Sequence, residues 1–244
     1  MAKLTVLGSG SVVQYEGRGS ASYLLEIDDK KIVLDCGFYL LERLEQKGVM
    51  ADEIDYIFVS HKHPDHFMGL IHFLFARKNK RAYSDKPVTI FGFKGLKEYI
   101  ESFKNILGKW IEPDIEIHII ENEERDFGIF SYKLFKTKHT DESVGIVLNF
   151  DDKKLVYTSD TEYFEGLIEI VNNADLLIAE CGKLKGEDFE VHMSYDEVLE
   201  IAVNSNISTL LFSHFYPETD KFYIDAKDYN FKIFKARDLM TLNI

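Results

Sequence analysis

The sequence is poor in the residues that mark several large classes of protein. It has two cysteines, Cys36 and Cys181, in 244 residues. Two thiols cannot build a disulfide framework. A single bridge is open to them, but a reduced cytosolic chain is the plainer reading. It has four prolines, and they are spread out. No Pro/Gly/Ser-rich stretch, low-complexity tract or internal repeat occurs, so residues 1–244 read as a single domain. No run approaches the ~18 apolar residues that span a bilayer. The first ten residues carry one lysine and then alternate like a strand, without the apolar core of a signal peptide. No membrane association and a cytoplasmic location are expected. Positive charge is also scarce: 29 Lys and Arg against 42 Asp and Glu give a net charge of −13. Polyanion binders draw much of their affinity from cations that neutralise phosphates. An extended nucleic-acid surface is therefore not expected, although a local basic patch stays compatible with the total.

What the chain does have is core material. It is 45% hydrophobic and 14% aromatic, which fits a compact fold and argues against disorder. Strand patterns fall at 3–7, 21–27, 31–35, 57–59, 88–91, 115–120, 129–137, 144–150, 155–158, 176–179, 209–212, 231–234 and 240–243. Asp28-Asp29-Lys30 and Asp151-Asp152 read as tight hairpin turns. Helical spacing falls at 39–47, 66–77, 96–107 and 164–172. A further helix runs to about Asn204 from a capping box, Ser194-Tyr195-Asp196-Glu197. Residues 220–227 read as helix or loop. In both halves strands cluster and are then broken by helices. That order predicts two sheets packed face to face with helices outside, rather than one doubly wound sheet.

The most informative segment is Ser60-His61-Lys62-His63-Pro64-Asp65-His66, between an apolar strand and a helix. Three histidines and one aspartate fall within six residues. Imidazole and carboxylate suit divalent Zn, Mn, Fe or Ni. In a turning segment His61 and His63 project to one side, and Asp65 and His66 turn toward a neighbouring point, so one loop can serve two adjacent ions. Pro64 stiffens it. Taken alone, His139 also fits an exposed strand end, Asp160 a helix N-cap and His214 a satisfied loop histidine.

His61-x-His63-x-Asp65-His66 resembles the signature of the metallo-β-lactamase superfamily. The resemblance extends along nearly the whole chain. Gly8-Ser9-Gly10-Ser11 and Leu34-Asp35-Cys36-Gly37 resemble the glycine-serine turn and the strand-end motif of its ribonuclease Z-like branch. Lys138-His139-Thr140 with Ser143-Val144-Gly145 resembles the third metal motif. Thr158-Ser159-Asp160-Thr161 resembles the motif of the bridging aspartate, and Phe212-Ser213-His214-Phe215 the final histidine motif. The resemblance implies an αββα sandwich, two facing mixed β-sheets flanked by helices. It implies two divalent ions, with Zn the first expectation and Mn, Fe or Ni also suited. His61, His63 and His139 would hold one ion. Asp65, His66 and His214 would hold the second, and Asp160 would bridge both with a water or hydroxide. Val191-His192-Met193-Ser194 resembles a branch motif whose histidine assists the transition state or protonates the leaving oxygen. Glu180 resembles its acidic partner. Asp65, His192 and Glu180 are thus the expected catalytic residues.

These motifs imply a metal-dependent hydrolase, and the His192 motif favours a phosphodiesterase acting through a metal-bridging hydroxide. The tRNA-processing members carry a gripping arm between the motifs matching His139 and Asp160. Here those residues are 21 apart and two strands fill the gap. The layout also resembles small cyclic-phosphate phosphodiesterases, including that of the carbon–phosphorus lyase pathway. The extra cysteine-rich zinc site of that enzyme cannot be built from two cysteines. A small or cyclic phosphodiester, such as a cyclic nucleotide or cyclic sugar phosphate, is the expected substrate, with a short RNA end as the other choice. A thioester or lactone hydrolase and a non-catalytic metal-binding carrier are the alternatives on the same fold. A homodimer is common among such relatives. Arg77, Lys78, Lys80 and Arg81 fit either a phosphate contact or a solvated helix end. Tyr15, Phe38, Tyr39, Phe215 and Tyr216 lie beside motif loops and fit a ligand pocket or core packing equally.

Overall fold

A computed structural model describes residues 2–187 and 191–244. Along the first half run β1 (Ala2–Gly8), β2 (Ser22–Ile27), β3 (Lys30–Leu34), α1 (Leu40–Gln46), β4 (Tyr56–Val59), α2 (Pro64–Arg77), β5 (Val88–Gly92), α3 (Leu96–Leu107) and β6 (Ile117–Ile120). The second half has β7 (Glu124–Asp126), β8 (Ser131–Lys136), β9 (Val144–Phe150), β10 (Lys153–Tyr157), α4 (Gly166–Val171), β11 (Leu176–Glu180), α5 (Tyr195–Asn204), β12 (Thr209–Ser213), β13 (Lys232–Lys235) and β14 (Thr241–Asn243). The strands form two seven-stranded sheets, ordered β14-β1-β2-β3-β4-β5-β6 and β13-β12-β11-β10-β9-β8-β7. Both are mixed. From β3 to β6 and from β10 to β13 neighbours pair in parallel, and the other pairs are antiparallel.

Period-two alternation explains the layers, because successive strand side chains face opposite sides. Tyr23, Leu25, Ile32, Leu34 and Phe58 of the first sheet meet Leu155, Tyr157, Ile178 and Leu211 of the second. The alternate residues Leu24, Val33, Ile57 and Val59 turn outward under α1, α2 and α3. Val156, Leu177, Ala179, Leu210 and Phe212 turn outward under α4 and α5. This is the expected αββα sandwich. Asp28 (φ +50°) and Asp151 (φ +50°) make the two hairpin turns in the left-handed region, which Asp tolerates. Ser194 and Glu197 form the expected capping box at α5.

The structure departs from the sequence reading in a few places. The pattern at 129–137 is shortened to β8, and β7 precedes it. Edge strand β7 is exposed throughout and reads Glu-Arg-Asp, so no alternation announces it. The helix at 164–172 shrinks to α4, and 220–227 forms two short 3-10 turns. Three of the four basic residues bind their own chain, and the fourth, Arg81, is exposed. Arg77 is buried and donates to the carbonyls of Ala51, Ser84 and Lys86. Lys78 donates to those of Lys109 and Glu112, and Lys80 pairs with Asp114. Cys36 and Cys181 are buried free thiols, and no helix of the described residues is long and apolar enough to cross a membrane.

Candidate metal centre

The parallel strands β4, β10, β11 and β12 all end on one side of the sandwich, where crevices form in sheets of this kind. The segment after β4 carries His61 and His63. Pro64 then opens α2, so Asp65 and His66 stand on its first turn. Asp160 follows β10, Glu180 ends β11, His214 follows β12, and His139 comes from the loop after β8. Asp35, Ser159 and His214 adopt left-handed backbone, with φ of +58°, +54° and +55°. Non-glycine residues rarely do so, and such conformations cluster where side chains must be aimed.

These loops converge on Asp160. Its Oδ2 lies 3.3 Å from His66 Nε2, 3.4 Å from His214 Nε2, 3.6 Å from His139 Nε2 and 3.9 Å from His61 Nε2. Asp65 Oδ2 lies 3.6 Å from His214 Nε2 and 3.7 Å from His66 Nε2. His63 Nδ1 is 3.0 Å from His139 Nε2. Three sets of potential ligand atoms each fall within 4.8 Å: His61, His63, His139 and Asp160; Asp65, His66 and His214; and Asp160, His192 and His214. The simpler readings of His139 and Asp160 fail on this geometry. The His139 side chain is only 3% exposed, and Asp160 lies well before α4 and caps nothing there.

Outer hydrogen bonds decide which ring nitrogens face inward. Asp35 is fully buried and its Oδ2 accepts from His66 Nδ1 (2.7 Å), Ser60 Oγ (2.8 Å) and Tyr157 OH (2.7 Å). Its Oδ1 accepts from the Ser60 N–H. Since the Ser60 hydroxyl gives its one proton to Asp35, it accepts from His61 Nδ1–H at 2.9 Å. Asp35 therefore sets the tautomer of His66 directly and of His61 through Ser60. His139 Nδ1–H donates to the Val191 carbonyl. The Nε2 atoms of all three rings then face Asp160, the orientation that metal-ligating imidazoles require. Gly69 makes this contact fit. A Cβ there would stand 2.2 Å from the Gly37 carbonyl oxygen, so only glycine lets α2 press on the Asp35–Gly37 turn.

The electrostatics agree with a cation site. Burial holds His61 well below the usual imidazole value, and it lowers His139 as well, keeping both neutral. Burial opposes charge on His66 too, but Asp160, Asp65 and Asp35 outweigh it and raise its pKa well above normal. Burial opposes ionisation of Asp65, yet His66 and His214 bring it down to about 2. His61 Nε2 and Asp160 Oδ1 are buried with no hydrogen-bond partner. The neutral His61 and His139 rings, the ionised carboxylates and these two orphaned atoms fit divalent metal, which would take the place of the proton on His66.

Beside the cluster, His192 Nδ1 donates to Glu180 Oε1 at 2.8 Å. Glu180 is buried and also accepts from the Thr161 and Gly182 N–H groups. It is no solvated strand-end charge; it holds His192. Burial opposes charge on His192, but Glu180 and Asp160 push its pKa up to about 9. Tyr216 lies 6.0 Å from the His192 ring and 6.1 Å from the His214 ring. Phe215 is instead buried in the core. Sequence reasoning missed Asp35 as the residue that orients the His66 and His61 rings; its signal was an aspartate at the end of an apolar strand.

The ribonuclease Z of Clostridioides difficile strain 630 is 25% identical over 281 aligned positions, covering 90% of each chain. Zinc phosphodiesterase ELAC protein 2 of Macaca fascicularis is 24% identical, with 99% of this chain matching 33% of that protein. The crystal structure of the metallo-β-lactamase fold protein YhfI from Bacillus subtilis superposes with a TM-score of 0.83 at 23% identity, covering all of both chains. Together with the cluster of histidines and aspartates, these likenesses define a metal-dependent hydrolase of the ribonuclease Z-like branch of the metallo-β-lactamase superfamily. Within that class the chain belongs to the family described as anti-Pycsar protein Apyc1, whose model matches residues 2–237.

Proposed function

We propose that the protein is a phosphodiesterase that carries two divalent ions and acts on a small or cyclic phosphodiester. The observation that carries this reading is the single Asp160 oxygen within 3.3 to 3.9 Å of four imidazole nitrogens. His61, His63 and His139 would hold one ion, Asp65, His66 and His214 the other, and Asp160 would serve both. Zn is the first candidate, and Mn, Fe or Ni suit the same donors. When bound, such ions lower the pKa of water toward ~7 and offset charge on phosphoryl oxygens. The chain supplies the rest. Asp65, held ionised, orients the attacking water. His192, whose Nδ1–H is taken by the buried Glu180, gives its other ring proton to the leaving oxygen, which suits a general acid. Glu180 takes Nδ1–H and leaves Nε2 for that transfer.

Several features favour a small substrate. Only β9, β10 and their two-residue turn separate the His139 loop from Asp160, so no arm for a long RNA arises there. A cavity of about 370 Å³ lined by Gly182, Leu184, Glu187, Tyr216, Glu218 and Thr219 adjoins His192, a size that suits a small molecule. Glu187 and Glu218 would repel a second phosphate. A short RNA end is the second substrate class. The chain is read as one folded unit over residues 1–244 and as cytoplasmic; a homodimer is the candidate assembly, and sedimentation decides between it and a monomer.

The test is hydrolysis of a chromogenic phosphodiester by the Zn- or Mn-loaded protein, followed by a panel of cyclic nucleotides. Turnover should fall by roughly 10²–10⁴ in His192→Ala and vanish in Asp65→Ala. No turnover with two ions bound would overturn the reading in favour of a carrier. Thioester or lactone turnover indifferent to His192→Ala would favour that hydrolase class.

A further inference from the structure

His214 differs from His61, His66 and His139 in one respect: its second ring nitrogen, Nδ1, is buried without a hydrogen-bond partner. Its aim has to come from its backbone, which is in the left-handed region at φ +55°. That backbone is held through the next residue. Phe215 N–H donates to the Ser9 carbonyl, and Ser11 N–H donates to the Phe215 carbonyl, both at 3.1 Å. The Ser9–Ser11 turn is held in its turn by Arg18, which is 8% exposed. Arg18 Nη1 donates to Ser9 Oγ (2.6 Å) and to the Ala236 carbonyl (2.5 Å). Its Nε and Nη2 donate to Asp220 Oδ2 at 3.1 and 2.7 Å. The guanidinium carbon lies 4.9 Å from the centre of the Phe215 ring. Ala236 N–H donates to the Phe212 carbonyl, two residues before His214. One cation thus touches the turn that pins Phe215, the Phe215 ring, and the segments on either side of His214.

We propose that Arg18, anchored by Asp220, is a positioning residue that holds His214 in place for the second metal ion. This rests on the two-ion reading above. Arg18 touches no ligand; it acts by keeping the Ser9–Ser11 turn and the Phe215 ring fixed, so His214 needs no partner at Nδ1.

The experiment is calorimetric titration of metal-free protein with Zn, and with Co for its absorption spectrum, on wild type, Arg18→Met, Arg18→Lys and Asp220→Asn. Arg18→Met keeps an apolar stem over Phe215 and removes the donors. Wild type should bind two ions. Arg18→Met should keep one at wild-type affinity and bind the other roughly tenfold to a hundredfold more weakly, with Arg18→Lys recovering part of the loss and Asp220→Asn losing less. Equal weakening of both ions, as a general loss of structure would give, overturns the proposal, and so does unchanged binding. If Arg18→Met does not fold by circular dichroism, Asp220→Asn decides: unchanged second-ion affinity in that folded variant refutes the role. Fewer than two ions in wild type would sink the two-ion reading and this inference with it, whereas failure in the variants alone sinks only the inference.

Discussion

Asp35→Asn is nearly isosteric, yet it should damage both proposed metal subsites. The wild-type carboxylate accepts four hydrogen bonds in a fully buried site, from His66 Nδ1, Ser60 Oγ, Tyr157 OH and Ser60 N. An asparagine offers one acceptor oxygen and one amide nitrogen. Whichever way it turns, the amide nitrogen faces at least one donor and leaves it unmet, at a cost of about 1–3 kcal/mol. The negative charge that polarises the His66 and Ser60 donors is lost as well. Stability should fall by roughly 2–3 kcal/mol, which lowers Tm by several degrees in a chain of this size. The imidazoles lose their anchor in order: His66 directly, His61 through Ser60. Affinity for the ion held by His66 should drop about 10–100-fold, and for the ion held by His61 by less. Metal titration and thermal melts of metal-free protein read both effects. An Asp35→Asn protein that melts like wild type and binds both ions with wild-type affinity would refute the reasoning.

Glu180→Gln should remove the buried charge that accepts His192 Nδ1–H and that, in the metal-free protein, helps hold His192 up to about 9. Because the acid form is the active one, the alkaline limb of the rate profile should move toward neutral pH, with the loss growing as pH rises; parallel profiles would contradict this. In metal-free wild type the same raised pKa contributes stability that is present in full below about 6.5 and is lost as pH rises through about 9, which chemical denaturation against pH will show. Gly69→Ala drives a Cβ into the Gly37 carbonyl oxygen; α2 must move, at about 1–3 kcal/mol, and metal affinity should fall along with Tm. Ser194→Ala removes the α5 cap at about 1 kcal/mol and should leave metal affinity unchanged.

The fold was legible where alternation and turn chemistry agree. Asp28 and Asp151 mark hairpins because aspartate tolerates left-handed backbone, and the inward and outward series of β2, β3, β10 and β11 follow directly from period two. The convergence of these histidines and aspartates was legible because their motifs sit at strand ends and the resemblance orders them. What stayed hidden was the support. Asp35, Ser60 and Tyr157 are far apart in sequence, and only the facing of the two sheets brings the Tyr157 hydroxyl to Asp35. Arg18 looks like a loop cation until the fold buries it between Asp220 and Phe215. Glu180 ends an apolar strand, where a carboxylate is commonly solvated, but the Gly182 turn closes over it. Edge strand β7 carries no periodic signal at all.

The most direct test is anomalous diffraction from crystals grown with Zn. Two peaks are predicted, one within about 2.2 Å of nitrogens of His61, His63 and His139 and the other within that distance of Asp65, His66 and His214, with Asp160 reaching both. A single ion, or ions bound away from Asp160, would contradict the account.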